Sequence, residues 1–137
     1  MKDASSYAFH HFGLAVKDFK ASLAFYEHQG YRCTEPIIDP IQGVELIFCK
    51  SDRLPDIELI KPVDPDAPPL AKFLAKNNEI IYHVCYEVDN IEKVPTELFS
   101  ENRVFCVGKP QPAVLFDNRL VSFYYIRDVG VIELLQR

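Results

Sequence analysis

His11-Phe12-Gly13-Leu14-Ala15-Val16-Lys17-Asp18-Phe19 and, 72 places further on, His83-Val84-Cys85-Tyr86-Glu87-Val88-Asp89-Asn90-Ile91 follow one plan. Each opens on a histidine, alternates along a strand to a valine, passes a polar pair and returns to an apolar residue. In the first copy Phe12, Leu14 and Val16 share one face, while His11, Gly13 and Ala15 share the other, which is small and polar. A second echo lies later in each half, where Ile57-Glu58-Leu59-Ile60 matches Ile132-Glu133-Leu134-Leu135 at an offset of 75. Each half thus carries a His on its first strand and a Glu on its last, 47 residues apart in one and 50 in the other. Self-similarity of this kind predicts two related modules about a pseudo-twofold axis, with equivalent side chains meeting near the axis.

The residues between these anchors repeat the order strand, helix, strands. Asp18 is placed to cap a helix running to about His28, with Phe19, Leu23 and Tyr26 as its apolar stripe and Gly30 as its stop. Strands are predicted over 9–16, 31–38, 44–49 and 57–61. Four prolines in 62–69 mark a linker that cannot lie inside a sheet, followed by a short helix over 70–76. The second half reads as a strand over 81–88, a helix over 90–100 flawed by Pro95, and strands over 103–107, 113–116, 120–126 and 129–135. The modules are therefore expected at roughly 7–62 and 80–137, joined by the Pro-rich linker.

Composition narrows the class. A chain of 137 residues suits one domain, and no apolar stretch approaches the roughly 20 residues of a membrane span. The opening residues run straight into the first strand pattern without a secretory signal, so a cytoplasmic protein is expected. Four widely spaced cysteines, with no C-x-x-C pair, exclude a zinc ribbon and read as small buried hydrophobes in a reducing compartment. A net charge of −5 without a Lys/Arg cluster argues against nucleic acid as a partner.

His11, Glu58, His83 and Glu133 make a set of two imidazoles and two carboxylates on strands. Such nitrogen and oxygen donors suit zinc, nickel, cobalt, manganese or ferrous iron. A lone His on a strand is ordinarily a core or surface residue, and a Glu in I-E-L ordinarily faces water. Occurrence of both at matched places in both halves favours a metal site. A divalent ion there could polarise a carbonyl and stabilise the enolate left when the adjacent carbon loses its proton, with Glu133 or Glu58 taking that proton. His10, opposite His11 by alternation, and His28, at a helix end that welcomes a cation, have structural readings. Asp39 and the linker carboxylates are expected in solvent.

The sequence resembles the vicinal oxygen chelate superfamily of glyoxalases, epimerases, extradiol dioxygenases and bleomycin-resistance proteins, and within it most nearly the methylmalonyl-CoA epimerases. The segments that carry the likeness are H-F-G-L-A-V-K-D-F-K-A-S-L-A-F-Y (11–26), E-P-I-I-D-P-I-Q-G-V-E-L-I-F (35–48), I-E-L-I-K-P-V-D-P-D-A-P-P-L-A-K-F-L-A-K-N-N (57–78), I-Y-H-V-C-Y-E-V-D-N-I-E (81–92) and G-V-I-E-L (130–134). The resemblance implies His11, His83 and Glu133 as metal ligands, with Glu58 as a fourth, and Tyr82 in place of an extra His. It implies a second base shortly after Q-G-V. Here Glu45 follows Gln42-Gly43-Val44 one residue early, which in a strand reverses its face. The region before Glu133 departs from the epimerases, reading Phe116-Asp117-Asn118-Arg119 and then Ser122-Phe123-Tyr124-Tyr125-Ile126-Arg127.

These readings together predict an α+β fold of two paired βαβββ modules forming a curved, mostly antiparallel sheet around a divalent metal, in a homodimer. Metal ligands are His11, Glu58, His83 and Glu133. Catalytic candidates are Glu133, Glu58 and Glu45, and substrate-binding candidates are Tyr82, Arg119 and Tyr124. The expected activity is a metal-dependent epimerase or isomerase acting next to a carbonyl, with 2-methyl acyl thioesters such as acyl-CoA as the substrate class. Its rivals are a glyoxalase-type lyase or extradiol-type dioxygenase of the same fold, and a non-catalytic module that binds an aromatic or antibiotic-like compound through rings such as Phe123, Tyr124 and Tyr125.

Overall fold

The computed structural model describes residues 7–93 and 104–137. It divides the chain into two compact units, His11–Tyr82 and His83–Arg137, the latter joined by the described part of 1–10. The first strand, β1 (Tyr7–Val16), therefore gives its opening residues to the second unit and the rest to the first.

In the first unit β1 leads into α1 (Phe19–His28), then β2 (Arg32–Cys33), β3 (Ile37–Asp39), β4 (Val44–Lys50) and β5 (Ile57–Pro62), with α2 (Leu70–Leu74) after the linker. The Asp18 side chain accepts from the Lys20 N–H at 3.4 Å and caps α1. At the other end the Tyr31 N–H donates to the Tyr26 carbonyl and the Gly30 N–H to the Glu27 carbonyl, with Gly30 at φ +93. That pair of bonds is a Schellman cap, and the left-handed residue it requires explains why glycine stops the helix. The strand order is β2-β4-β5-β1, with β3 also on β4. β1 runs parallel to β5 and the other pairs are antiparallel. On one side of these strands Val16, Phe19, Tyr31, Ile47, Cys49 and Leu59 bury together, with Leu14, Leu23 and Tyr26 packed on them. Each large side chain so buried contributes about 1.5–3 kcal/mol, which fixes α1 on this face and leaves the other for the polar residues.

The second unit holds β6 (Glu79–Val88, of which 83–88 belong here), β7 (Val104–Ala113), β8 (Arg119–Ile126) and β9 (Gly130–Gln136), ordered β6-β9-β8-β7. β6 is parallel to β9, and β9–β8 and β8–β7 are antiparallel. Val88, Ile91, Tyr124, Ile132 and Leu134 form the core on one side. Cys85, Ala113, Val121 and Leu135 cluster on the other. The fold class is α+β, mostly antiparallel, as the sequence predicts.

Four local expectations change. The run over 31–38 is two short strands, because Pro36 has no N–H to give the ladder; 34–36 lie between them. The run over 113–116 is not a strand: β7 ends at Ala113, and Val114–Phe116 form a 3-10 turn that closes on left-handed Asp117 and Asn118 (φ 54 and 63). Asp39 is buried rather than solvated, its carboxylate accepting from the Ile41 and Gln42 N–H groups at 3.0 and 3.1 Å and from the Gln42 amide at 3.0 Å, so it builds the D-P-I-Q-G turn. Of the helix predicted over 90–100, residues 91–93 form a turn in which Asn90 Oδ1 accepts from the Glu92 and Lys93 N–H groups; the remainder lies outside the described residues.

Candidate functional site

In the first unit the polar face of β1 presents His11, Gly13 and Ala15, with Gly13 alongside Glu58 of β5 in parallel register. Residues beside one another in a ladder point to the same side, so His11 and Glu58 share a face. His11 Nε2 lies 3.6 Å from Glu58 Oε2, and both residues are buried. Phe48 of β4 stands opposite Glu58 and turns its ring edge-on to the His11 imidazole, centroids 5.5 Å apart at 87°.

The second unit repeats the arrangement. His83 on β6 lies two residues before Cys85, which pairs with Glu133 of β9. His83 Nε2 is 3.0 Å from Glu133 Oε1, and both are again buried. Phe123 of β8 faces Glu133 and packs edge-on against the His83 ring, at 5.6 Å and 73°. A buried carboxylate is costly unless a cation or donors compensate it. Two such carboxylates, each beside an imidazole on rigid strands, are donor pairs of a kind that can hold a divalent metal. The residues fit the expected ion, and Gly13, Ala15 and Cys85 keep the flanking positions small.

The remaining candidates fall elsewhere. Glu45 pairs with Lys61 across β4 and β5, one residue off the Phe48–Glu58 alternation, and so lies on the α1 side. Its Oε1 is 3.9 Å from Lys61 Nζ, and that ammonium sits 4.9 Å above the Phe19 ring. The structure does not bring Glu45 to the face of Glu58. Tyr82 precedes His83 on the strand, points to the other side and packs against Phe73 at 5.6 Å. Tyr124 belongs to the core opposite Glu133, where burial pushes its hydroxyl pKa up. Arg119 is on the side of Glu133 but is tied down: its Nε donates to the Gln136 carbonyl at 2.8 Å, and Nη2 pairs with Glu87. That hydrogen bond holds the Glu87 carboxyl below the usual carboxylate range.

The sequence reading does not single out Phe48, and names Phe123 only as a stacking ring of the non-catalytic alternative, not as a support for His83. The offset of 75 that superposes Glu58 on Glu133 also superposes Phe48 on Phe123, so the signal was present in the repeat.

A strand–helix–strands unit and, among the described residues, a four-stranded unit each present a buried His–Glu pair from their first and last strands, which defines an α+β class with a candidate metal-binding group. The chain belongs to the Glyoxalase/Bleomycin resistance protein/Dioxygenase superfamily, whose family model matches residues 10–123. It is 36% identical over 110 residues to the mitochondrial methylmalonyl-CoA epimerase of Bos taurus, a match covering 73% of this chain and 62% of that protein, less than two thirds of its length. It is 33% identical over 132 residues to the ethylmalonyl-CoA/methylmalonyl-CoA epimerase of Cereibacter sphaeroides, covering 92% of this chain and 95% of the relative. The crystal structure of methylmalonyl-CoA epimerase from Mycobacterium tuberculosis shares the fold, with a TM-score of 0.80 at 23% identity over 99% of this chain and 92% of that one.

Proposed function

We propose that this chain is a metal-dependent epimerase that removes and returns the proton on the carbon next to a thioester carbonyl, with 2-methyl-branched acyl-CoA, methylmalonyl-CoA above all, as its substrate. The observation that carries the reading is the pair of buried His–Glu couples at equivalent places in the two halves of a superfamily chain. The names of its relatives in cattle and in Cereibacter supply the substrate class.

In this reading His11, Glu58, His83 and Glu133 together hold one divalent ion. When bound, such an ion would polarise a carbonyl oxygen and lower the cost of the enolate by several kcal/mol. The carboxylate oxygens of Glu58 and Glu133, one from each half, take the proton from one side of the branched carbon and return one from the other. A two-base inversion uses one carboxylate on each face of the enolate, and the repeat provides a buried carboxylate in each half. Phe48 and Phe123 hold the imidazoles in place and keep water from their edges. The same proposal includes a cytoplasmic homodimer, to which four free cysteines are suited; fractionation and sedimentation check it. Among the described residues no helix is long and apolar enough to cross a membrane.

The test is isotope exchange. Metal-loaded protein incubated in heavy water with methylmalonyl-CoA should place deuterium on the branched carbon, followed by NMR or mass spectrometry. Exchange should need metal and collapse in Glu133→Gln. No exchange across a panel of 2-methylacyl thioesters would overturn the reading, and oxygen uptake with bound ferrous iron would replace it by a dioxygenase.

A further inference from the structure

Cys33 and Cys49 lie apart from the His–Glu pairs, on the α1 side of the first unit. They are partners across the antiparallel β2–β4 ladder. The bonds between the strands fall at the next position, where the Thr34 N–H donates to the Phe48 carbonyl at 2.9 Å and the Phe48 N–H to Thr34 Oγ1 at 3.0 Å. Cys33 and Cys49 therefore occupy a non-hydrogen-bonded pair, the position where facing Cα atoms come to roughly 4.5 Å and side chains are closest. That spacing falls within the roughly 4.4–6.8 Å range that a disulfide spans. Both cysteines are free, with their Sγ atoms in close contact at 2.7 Å.

We propose that Cys33 and Cys49 form a redox-convertible dithiol, which closes a cross-strand disulfide on reaction with a small-molecule disulfide and reopens with a thiol reductant. The order of events follows from access. Cys33 is half-buried and Cys49 fully buried, so Cys33 meets the reagent first. Its thiolate attacks one sulfur of the small disulfide, forming a mixed disulfide and releasing one thiolate, which takes up the proton that Cys33 lost. The Cys49 sulfur, giving up its proton, then attacks the Cys33 sulfur and expels the second small thiol. Two protein thiols and one disulfide become one protein disulfide and two small thiols. Burial and the neighbouring Cys33 thiol raise the Cys49 pKa, so Cys49 ionises less readily and Cys33 is the thiol that meets the reagent first. The cross-link would tie the two-residue edge strand β2 to β4, the strand whose Phe48 supports His11.

Folded protein treated with oxidised glutathione should give the Cys33 and Cys49 peptides joined in a digest made without reductant, with buried Cys85 still a thiol and exposed Cys106 free to carry glutathione. Dithiothreitol should restore all four thiols. In Cys33→Ser the joined peptide should be absent and glutathione should not be displaced. Cys49→Ser should instead trap glutathione on Cys33; if that variant does not fold, the Cys33→Ser result decides. Retention of both thiols in the folded chain while exposed Cys106 is modified would overturn the proposal, as would a disulfide joining Cys49 to any other cysteine.

Discussion

On the face that carries the His–Glu pairs, the two halves are identical at three positions and differ around them. His11, Phe48 and Glu58 in the first unit correspond to His83, Phe123 and Glu133 in the second, with His–Glu contacts of 3.6 and 3.0 Å and aromatic contacts of 5.5 and 5.6 Å. Beyond this core the equivalents diverge. Ala15 and Val44, both buried, stand where the second half has Glu87 and Arg119 in an ion pair. Cys49, opposite Cys33, stands where the second half has Tyr124, opposite Cys106. On that face only the His, Phe and Glu positions are identical, while the core face keeps apolar pairs such as Val16 with Val88 and Leu59 with Leu134, as expected if the three carry the function and the rest has to pack.

The sharpest way to break the comparison is to remove one carboxylate from each half. Glu58→Gln and Glu133→Gln should each lower the rate of proton exchange by about 10²–10⁴, the usual worth of a positioned acid or base. A large loss in one and none in the other would show that the halves are equivalent in form alone. Next come the rings: Phe48→Leu and Phe123→Leu should each cost about 1 kcal/mol of stability, the scale of an aromatic contact with its burial. Denaturant titration of the pair would show whether the two supports are equal.

What was legible in the sequence follows the same division. His11, Glu58, His83 and Glu133 could be found because a repeat marks residues by position and not by type, and because alternation assigns a strand's faces. Glu45 could be placed on the α1 side for the same reason, since a one-residue offset is a change of face. Asp39 was not legible, because its burial depends on backbone N–H groups of a turn that forms only when β3 and β4 pair. Nor was the end of β7: Ala113-Val114-Leu115-Phe116 is an apolar run compatible with strand or turn, and Asp117 and Asn118 in left-handed conformation decide it. Tyr124 and Arg119 are polar or aromatic residues near Glu133 in sequence, but one faces the core and the other is held by Glu87.

Smaller effects sharpen the contrast. Arg119→Met should weaken the second half through Glu87, whose folded carboxyl titrates below its ordinary 4.5. A depressed carboxylate pKa contributes stability above that value and loses it as pH falls through the lower folded one. The gap in melting temperature between parent and variant should therefore be present at pH 6 and shrink below about pH 4. A gap that stays constant to pH 3 would assign it to lost packing of the arginine stem. The smallest effect is expected from Glu45→Gln, within about twofold in exchange rate, since the general-acid or general-base contribution is absent on that face. A loss comparable to that of Glu133→Gln, with metal content intact, would mean that Glu45 reaches the substrate after all.

The central proposal is one divalent ion per chain, and metal stoichiometry tests it most directly. Purified protein, stripped and then titrated with zinc or cobalt, should bind one ion per chain, and either His11→Ala or His83→Ala alone should abolish tight binding, because each ligand pair is half of one set. Two ions per chain, or one ion that survives when both histidines are replaced, would contradict it.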